Sequence, residues 1–165
     1  MSEFEELVNL FGKLGARKPE EWASSQINEG INQLGRFLFL RQAWKKVISE
    51  DDHSWIEREI ADADRNPGKP GSSIGRALRN LLANGSKKRD ISDVVRVMQY
   101  DLLFGLCYLL DDPGELGPEV GNISWGLVEF SENREPTAPI AGLHESVLEM
   151  DPTGREMRPR PATDD

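Results

Sequence analysis

The chain has 165 residues, of which 38% are hydrophobic and 30% charged, with a formal net charge of −9. These values fit one soluble globular domain that is large enough to bury a core. The single cysteine, Cys107, excludes an internal disulfide and a CxxC redox or metal motif. The N-terminus has neither the basic start nor the long apolar stretch of a secretory signal, so the sequence predicts a cytoplasmic protein.

Apolar residues at steps of three and four predict helices over the first 110 residues. The first begins at Ser2, which starts a capping-box pattern, and ends at about Gly15. A long second helix is predicted from Pro19 to about Ile48, with Gly30 as a position where it can kink. A third helix follows before residue 66.

A linker rich in proline and glycine, residues 66–73, precedes helix four. Ser72 or Ser73 is a suitable cap for that helix. Free N–H groups at a helix start attract anions, and Lys69 and Arg76 lie close by in sequence, which makes this loop a candidate anion site. Because the loop lacks the P-loop order, a linker that ends in a serine cap is the simpler interpretation.

Residues 90–110 are predicted to form the central helix of the protein. Asp90 is a good N-cap, and the stretch Leu102–Leu110 is apolar almost all round. Such a pattern is typical of a helix buried on several sides, and this stretch is far shorter than the roughly 20 residues that span a bilayer. The sequence therefore predicts no membrane span and a buried helix at the centre of the core.

Past Leu110 the predicted elements change to strands. The β-branched and aromatic residues of Ile123–Phe130 predict one strand, Ile140–Met150 a second, and Arg155–Arg158 a short third. Helices followed by strands predict an α+β fold, with about five helices around the central one and a small C-terminal antiparallel sheet.

The predicted domain organisation follows from this order of elements. A single domain covers residues 1–158, with a helical part at 1–110 and a β part at 123–158. Residues 159–165 are predicted to be a flexible tail.

His144 stands beside carboxylates, where a histidine can act as a general base. Glu145, Glu149 or Asp101 could orient its ring. No HExxH or similar spacing predicts a metal site, and no motif implies a cofactor. A strand histidine that hydrogen-bonds to a neighbour is the simpler interpretation.

Three segments carry a resemblance to a family of small bacterial proteins: Gln99–Pro113, Trp125–Phe130 and Gly142–Met157. No established activity belongs to that family, so the resemblance implies no catalytic residue. In size and acidity the chain is also similar to bacterial immunity proteins, which bind and block a toxin.

The charge distribution indicates what kind of partner the protein has. Residues 1–110 hold 16 basic and 16 acidic residues, whereas residues 111–165 hold 4 basic and 13 acidic ones. An acidic surface favours a basic protein partner in a salt-dependent association and argues against nucleic acid, so the basic run Lys87–Arg89 is interpreted as a solvated loop.

The sequence thus predicts a non-enzymatic bacterial interaction protein, of inhibitor or immunity type, and leaves its oligomeric state open. The alternative is a small hydrolase or transferase centred on His144 and Glu145, with an anion-accepting loop at Gly68–Ser73. The predicted binding residues are the acids of the C-terminal third, Glu129, Glu132, Glu135, Glu145 and Glu149.

Overall fold

The computed structural model describes residues 1–160, which form seven helices and a two-stranded antiparallel sheet and confirm the predicted α+β fold. No helix in this part of the chain is long and apolar enough to cross a bilayer. The elements are α1 (Glu3–Leu14), α2 (Pro19–Glu29), α3 (Gln33–Trp44), α4 (Ser54–Arg65), α5 (Ser73–Ala83), α6 (Lys88–Asp111), β1 (Leu127–Phe130), β2 (Pro136–Ile140) and α7 (Leu143–Ser146).

The chain divides into two compact units. Among the described residues, the first unit combines residues 1–44 with residues 103–160, and the second unit is Lys45–Leu102. Helix α6 runs through the boundary and contributes residues to both units. The single domain over residues 1–158 stays a prediction.

Three aromatic side chains form the centre of the first unit. Phe11, Trp22 and Phe37 come from α1, α2 and α3, and their ring centroids are 5.3 to 6.0 Å apart. Two of the three contacts are edge-to-face, a geometry that aromatic pairs prefer. This trio fixes the positions of the three N-terminal helices.

The long second helix of the sequence prediction is wrong, because α2 and α3 are separate helices. Gly30 ends α2 with φ +68°, a left-handed conformation that glycine adopts without strain. Two residues later the Asn32 side chain accepts a hydrogen bond of 2.9 Å from the Gly35 N–H at the start of α3. The predicted kink is therefore a complete break.

The second unit has its own core between α4, α5 and the first part of α6. Trp55, Ile56, Leu78 and Ile91 are buried together there. The fully buried Ser92 hydroxyl accepts a 2.9 Å hydrogen bond from the Trp55 indole N–H, so these two polar groups are paired inside the core.

Helix α6 covers the predicted residues, but it begins at Lys88, so Asp90 lies in its first turn and is not its N-cap. Its second half is not buried on several sides. In the first unit Cys107 is buried, whereas Leu106 and Leu109 are 50% and 47% exposed. The apolar run correctly predicts a helix. It cannot predict which of its sides the rest of the chain covers, because that depends on the positions of the other elements.

The C-terminal sheet has two strands, not three. β1 pairs antiparallel with β2, with Leu127 opposite Ile140 and an irregularity after Val128. The strand predicted over Ile140–Met150 is wrong, since the chain turns there into the short helix α7. The third strand predicted over Arg155–Arg158 is also wrong, because these residues form turns. Residues 161–165 of the predicted tail lie outside the described residues.

Candidate functional site

The C-terminal segment, residues 141–151, is held in the first unit by side chains that donate to its backbone carbonyls. Arg36 donates from Nε to the Ala141 oxygen at 2.7 Å, and the buried Trp44 indole N–H donates to Val147 at 2.9 Å. Arg17 donates to the Asp151 oxygen at 2.7 Å. These bonds position α7 and the side chains that it carries.

Gly142 explains why this segment turns where the sequence predicts a strand. Its φ is +69°, and a Cβ atom there would lie 2.1 Å from a terminal nitrogen of Arg36. Only glycine combines this backbone conformation with so close a guanidinium. The turn therefore starts α7 at Leu143 and places His144 on it.

His144 lies beside a carboxylate, as the catalytic alternative requires, but that carboxylate is Asp111 at the end of α6. The His144 backbone N–H and ring Nδ1 both donate to Asp111 Oδ2, at 3.0 and 2.6 Å. Sequence reasoning missed this pairing because the two residues are 33 positions apart and Asp111 is otherwise typical of a helix-terminating turn.

The surroundings of this pair are apolar. The rings of Phe104 and Tyr108 stand edge-on to His144, with centroids at 6.3 and 5.0 Å. The Asp111 side chain is only 7% exposed, and its Oδ1 atom is buried with no hydrogen-bond partner in the part of the chain that the structure describes.

Two pKa values reflect this environment. Burial pushes the pKa of Asp111 upward, but the two hydrogen bonds from His144, with a smaller effect of the Leu143 backbone N–H, outweigh it and bring the pKa below its ordinary value. Burial, with a smaller effect of the Asp111 charge, raises the pKa of Cys107 to about 11. Asp111 is therefore ionised at neutral pH, while Cys107 is a protonated thiol and an unsuitable nucleophile.

The five acids that the sequence proposes for binding differ in their partners. Glu129 accepts from the Asn32 amide at 2.7 Å, and Glu145 lies 3.7 Å from Arg36. Glu145 therefore does not orient His144. The carboxylates of Glu132, Glu135 and Glu149 have no hydrogen bond or ion pair within residues 1–160.

Large apolar side chains are exposed along the same stretch of the first unit. The Trp125 indole N–H donates to the Leu109 carbonyl at 2.7 Å, which places this ring against the last turn of α6. Nine large apolar residues between positions 104 and 130 are more than a third exposed and are called the apolar surface below: Phe104, Leu106, Tyr108, Leu109, Val120, Ile123, Trp125, Val128 and Phe130.

The proposed anion loop belongs to the second unit, whereas His144 belongs to the first. Lys69 is already paired with Asp62, with a distance of 2.8 Å between Nζ and Oδ2. Ser72 stands at the N-cap of α5 but donates its hydroxyl to the Pro67 carbonyl and makes no capping bond. Ser73 is the first residue of α5, and Arg76 lies one turn further on.

Within residues 1–160 no three His, Cys, Asp or Glu side chains come together as ligands for a metal ion. The comparisons with known proteins identify no relative: no family model, no curated protein and no solved structure matches the chain.

Proposed function

We propose that the protein is a non-enzymatic bacterial interaction protein, acting in the cytoplasm as an inhibitor or in the manner of an immunity protein, that binds a basic protein partner through its first unit. The apolar surface is the observation that carries this proposal. Exposed large apolar side chains that occur in numbers commonly mark a binding site, and nine of them lie between residues 104 and 130 of this protein.

The charge of the same part of the chain specifies the partner. Residues 103–160 hold four arginines and eleven acidic residues. Protein interfaces combine an apolar centre with a polar rim, and complementary charges on the rim steer the two proteins together. The partner is therefore a protein with an apolar patch surrounded by lysine and arginine.

Glu132 and Glu135 are the best-placed acids to act as this rim. Both lie in the β1–β2 hairpin, next to the exposed Phe130, and neither carboxylate is engaged within the described chain. Glu129 and Glu145 already have partners inside the first unit, so their contribution to binding is smaller.

The test is affinity capture from the source organism at low and moderate salt, with the wild type and the variant Glu132→Lys/Glu135→Lys. We expect one stoichiometric partner on the wild type, less of it at moderate salt because exposed charges are screened, and at least a tenfold loss of it on the variant.

The matched control is Glu29→Lys/Glu59→Lys, which changes the net charge equally at two exposed helical positions outside the hairpin. This variant should retain the partner. Equal loss on both variants would show that only net charge matters, and no loss on either would contradict the acidic rim.

A second candidate, the small hydrolase or transferase centred on His144, is favoured by one distance, the 2.6 Å between His144 Nδ1 and Asp111 Oδ2. In this function Asp111 is the positioning residue, and Nε2 of His144 is the general base that activates water. Glu145 has no role in the dyad, since it lies beside Arg36.

Hydrolysis of p-nitrophenyl acetate and p-nitrophenyl phosphate by the wild type and His144→Gln tests this candidate. Loss of hydrolysis in His144→Gln, together with wild-type rates in Glu145→Gln, supports a catalytic pair of His144 and Asp111. Equal rates in the wild type and His144→Gln would contradict it.

A further inference from the structure

A small polar pocket lies between α2, α3 and α7 of the first unit. It has a volume of about 180 Å³, less than the roughly 300–1,000 Å³ of pockets that bind drug-sized ligands, so it fits a group the size of one side chain. It is lined by Glu21, Trp22, Ser25, Gln33, Ser146 and Glu149.

Gln33 is the feature of this pocket that points to a ligand. The residue is only 6% exposed, and its Nε2 donates to the Ser25 hydroxyl at 2.7 Å. Its Oε1 is buried without a hydrogen-bond partner among the described residues. A buried acceptor without a donor costs about 1–3 kcal/mol, so a ligand that donates an N–H group to Oε1 gains this energy on binding.

The charged side chains that line the pocket also favour a ligand with N–H donors. The lining contains two carboxylates, those of Glu21 and Glu149, and no basic residue. One oxygen of the Glu21 carboxylate is paired with the exposed Lys18 at 3.0 Å. The backbone oxygen of Glu149 accepts from Arg17, whereas its carboxylate has no hydrogen bond or ion pair within residues 1–160. The hydrogen-bond acceptors and the negative charge of the pocket together favour a ligand that is positively charged and donates hydrogen bonds.

The aromatic residue in the lining, Trp22, narrows the choice of ligand to a guanidinium group. A guanidinium is planar, carries five N–H donors and is weakly hydrated, so it can donate to Gln33 and Glu149 while it stacks on an aromatic ring such as Trp22. An ammonium group supplies only three donors from a single point.

We infer that this pocket binds the guanidinium group of an arginine side chain on the basic protein partner. The inference rests on the proposed function for the source of the arginine, and it adds a specific contact to it. Of the five acids that the sequence proposes for binding, Glu149 is then the one that lines the pocket.

The test follows the Gln33 side-chain amide and the backbone amides of Ser25 and Ser146 by ¹⁵N–¹H NMR while ethylguanidinium is added. We expect saturable shifts at these groups with a millimolar Kd, as befits a fragment of six heavy atoms. Ethylurea, which is planar and uncharged, should bind at least tenfold more weakly. Equal shifts with both probes would overturn the inference.

Two variants assign the binding to the pocket. Gln33→Met removes the acceptor at similar volume, and Glu149→Gln removes a charge near the rim without altering a backbone bond; each should weaken ethylguanidinium binding at least fivefold. Glu59→Gln, at an exposed position of α4 outside the pocket, should leave it unchanged. Unchanged binding in both pocket variants would overturn the inference.

Binding of acetyl-arginine amide and of free arginine tests whether the guanidinium group comes from a protein side chain or from the free amino acid. The amide, which resembles a residue within a chain, should bind more tightly because it lacks a carboxylate that Glu21 and Glu149 repel. Tighter binding of free arginine would overturn the assignment to a protein side chain. Glu132 and Glu135 do not line the pocket. The capture experiment can therefore contradict the proposed function while ethylguanidinium still binds to the pocket, and the two failures are distinguishable.

Discussion

The two carboxylate oxygens of Asp111 differ in their hydrogen bonds. Oδ2 accepts both donors of His144, and Oδ1 is buried without a hydrogen-bond partner in the described chain. A buried carboxylate in this state depends on the bonds to one oxygen, so the pair with His144 should contribute to stability whether or not it contributes to chemistry.

The first prediction concerns Asp111→Asn. We expect the substitution to lower the free energy of unfolding by about 1–3 kcal/mol near neutral pH, because a charged acceptor is lost. Since the pKa of Asp111 is lowered in the folded protein, its contribution is fully present above the unfolded pKa of about 3.8 and is lost as pH falls through the folded pKa.

Denaturant unfolding of the wild type and Asp111→Asn between pH 7 and pH 3 measures this contribution. The difference between the two proteins should be constant down to about pH 4 and shrink below it. Asp101→Asn, at an exposed position of α6, is the control and should follow the wild type at every pH. A difference that grows in acid would contradict the assignment.

At the residue scale, the sequence identifies His144 as a residue of interest but not its partner. The identity of the partner depends on how the turn at Gly142 directs the chain back to the end of α6. The pocket residue Gln33 gives no signal at all in the sequence, because a glutamine becomes a binding group only when burial leaves one of its atoms without a partner.

Two helical glycines offer a comparison at the scale of elements. A Cβ atom on Gly75 of α5 would lie 2.5 Å from the Cβ of Ala63 in α4, whereas one on Gly12 of α1 would have nothing within 4 Å. We expect Gly75→Ala to cost about 1–3 kcal/mol by overpacking and Gly12→Ala to stabilise by about 1 kcal/mol through helix propensity.

Thermal unfolding followed by circular dichroism measures both substitutions. The two identical chemical changes should shift the midpoint in opposite directions. A higher midpoint for Gly75→Ala would mean that α4 and α5 do not pack as closely as described.

The exposed side of α6 provides the third prediction. Leu106→Gln/Leu109→Gln should lower the free energy of unfolding by no more than about 1.5–3 kcal/mol, because both side chains are about half exposed and each loses only about half the value of a fully buried leucine. The same variant should bind less of the apolar dye ANS and less of the partner. Leu143→Gln, at a fully buried position, is the contrast and should lose several kcal/mol.

At the scale of elements, the sequence predicts the helices well and the strands poorly. Repeated apolar spacing and the capping box at Ser2 are local signals, and the structure contains both. β2, by contrast, contains Pro136 and Pro139, which argue against a strand in sequence and are tolerated because a strand in a two-stranded sheet is an edge.

The division of the chain into two units belongs to the scale of the whole molecule. Sequence composition gives no sign of it, because helix α6 continues through the boundary at Leu102 and no linker marks it. Only the contacts reveal that Lys45–Leu102 has a core of its own around Trp55.

The fourth prediction is that a fragment of residues 45–102 folds alone. It should be helical and unfold cooperatively, with a stability of at most about 3–5 kcal/mol, as is typical of so small a core. Trp55→Ala should unfold the fragment, since removal of a buried tryptophan costs about 3–5 kcal/mol, and the exposed Glu59→Lys should not. A wild-type fragment without cooperative unfolding would contradict the prediction.

The way in which residues 141–151 are held affects which mutations the protein can tolerate. Arg17, Arg36 and Trp44 donate to backbone oxygens of this segment, and every residue type supplies such an oxygen. Apart from Gly142 and the buried side chains, the segment can therefore accept new residues without detaching. Its exposed positions are suitable sites for library randomisation or for selection of altered partner specificity, whereas substitution of any of the three donors removes one of the bonds that hold the segment.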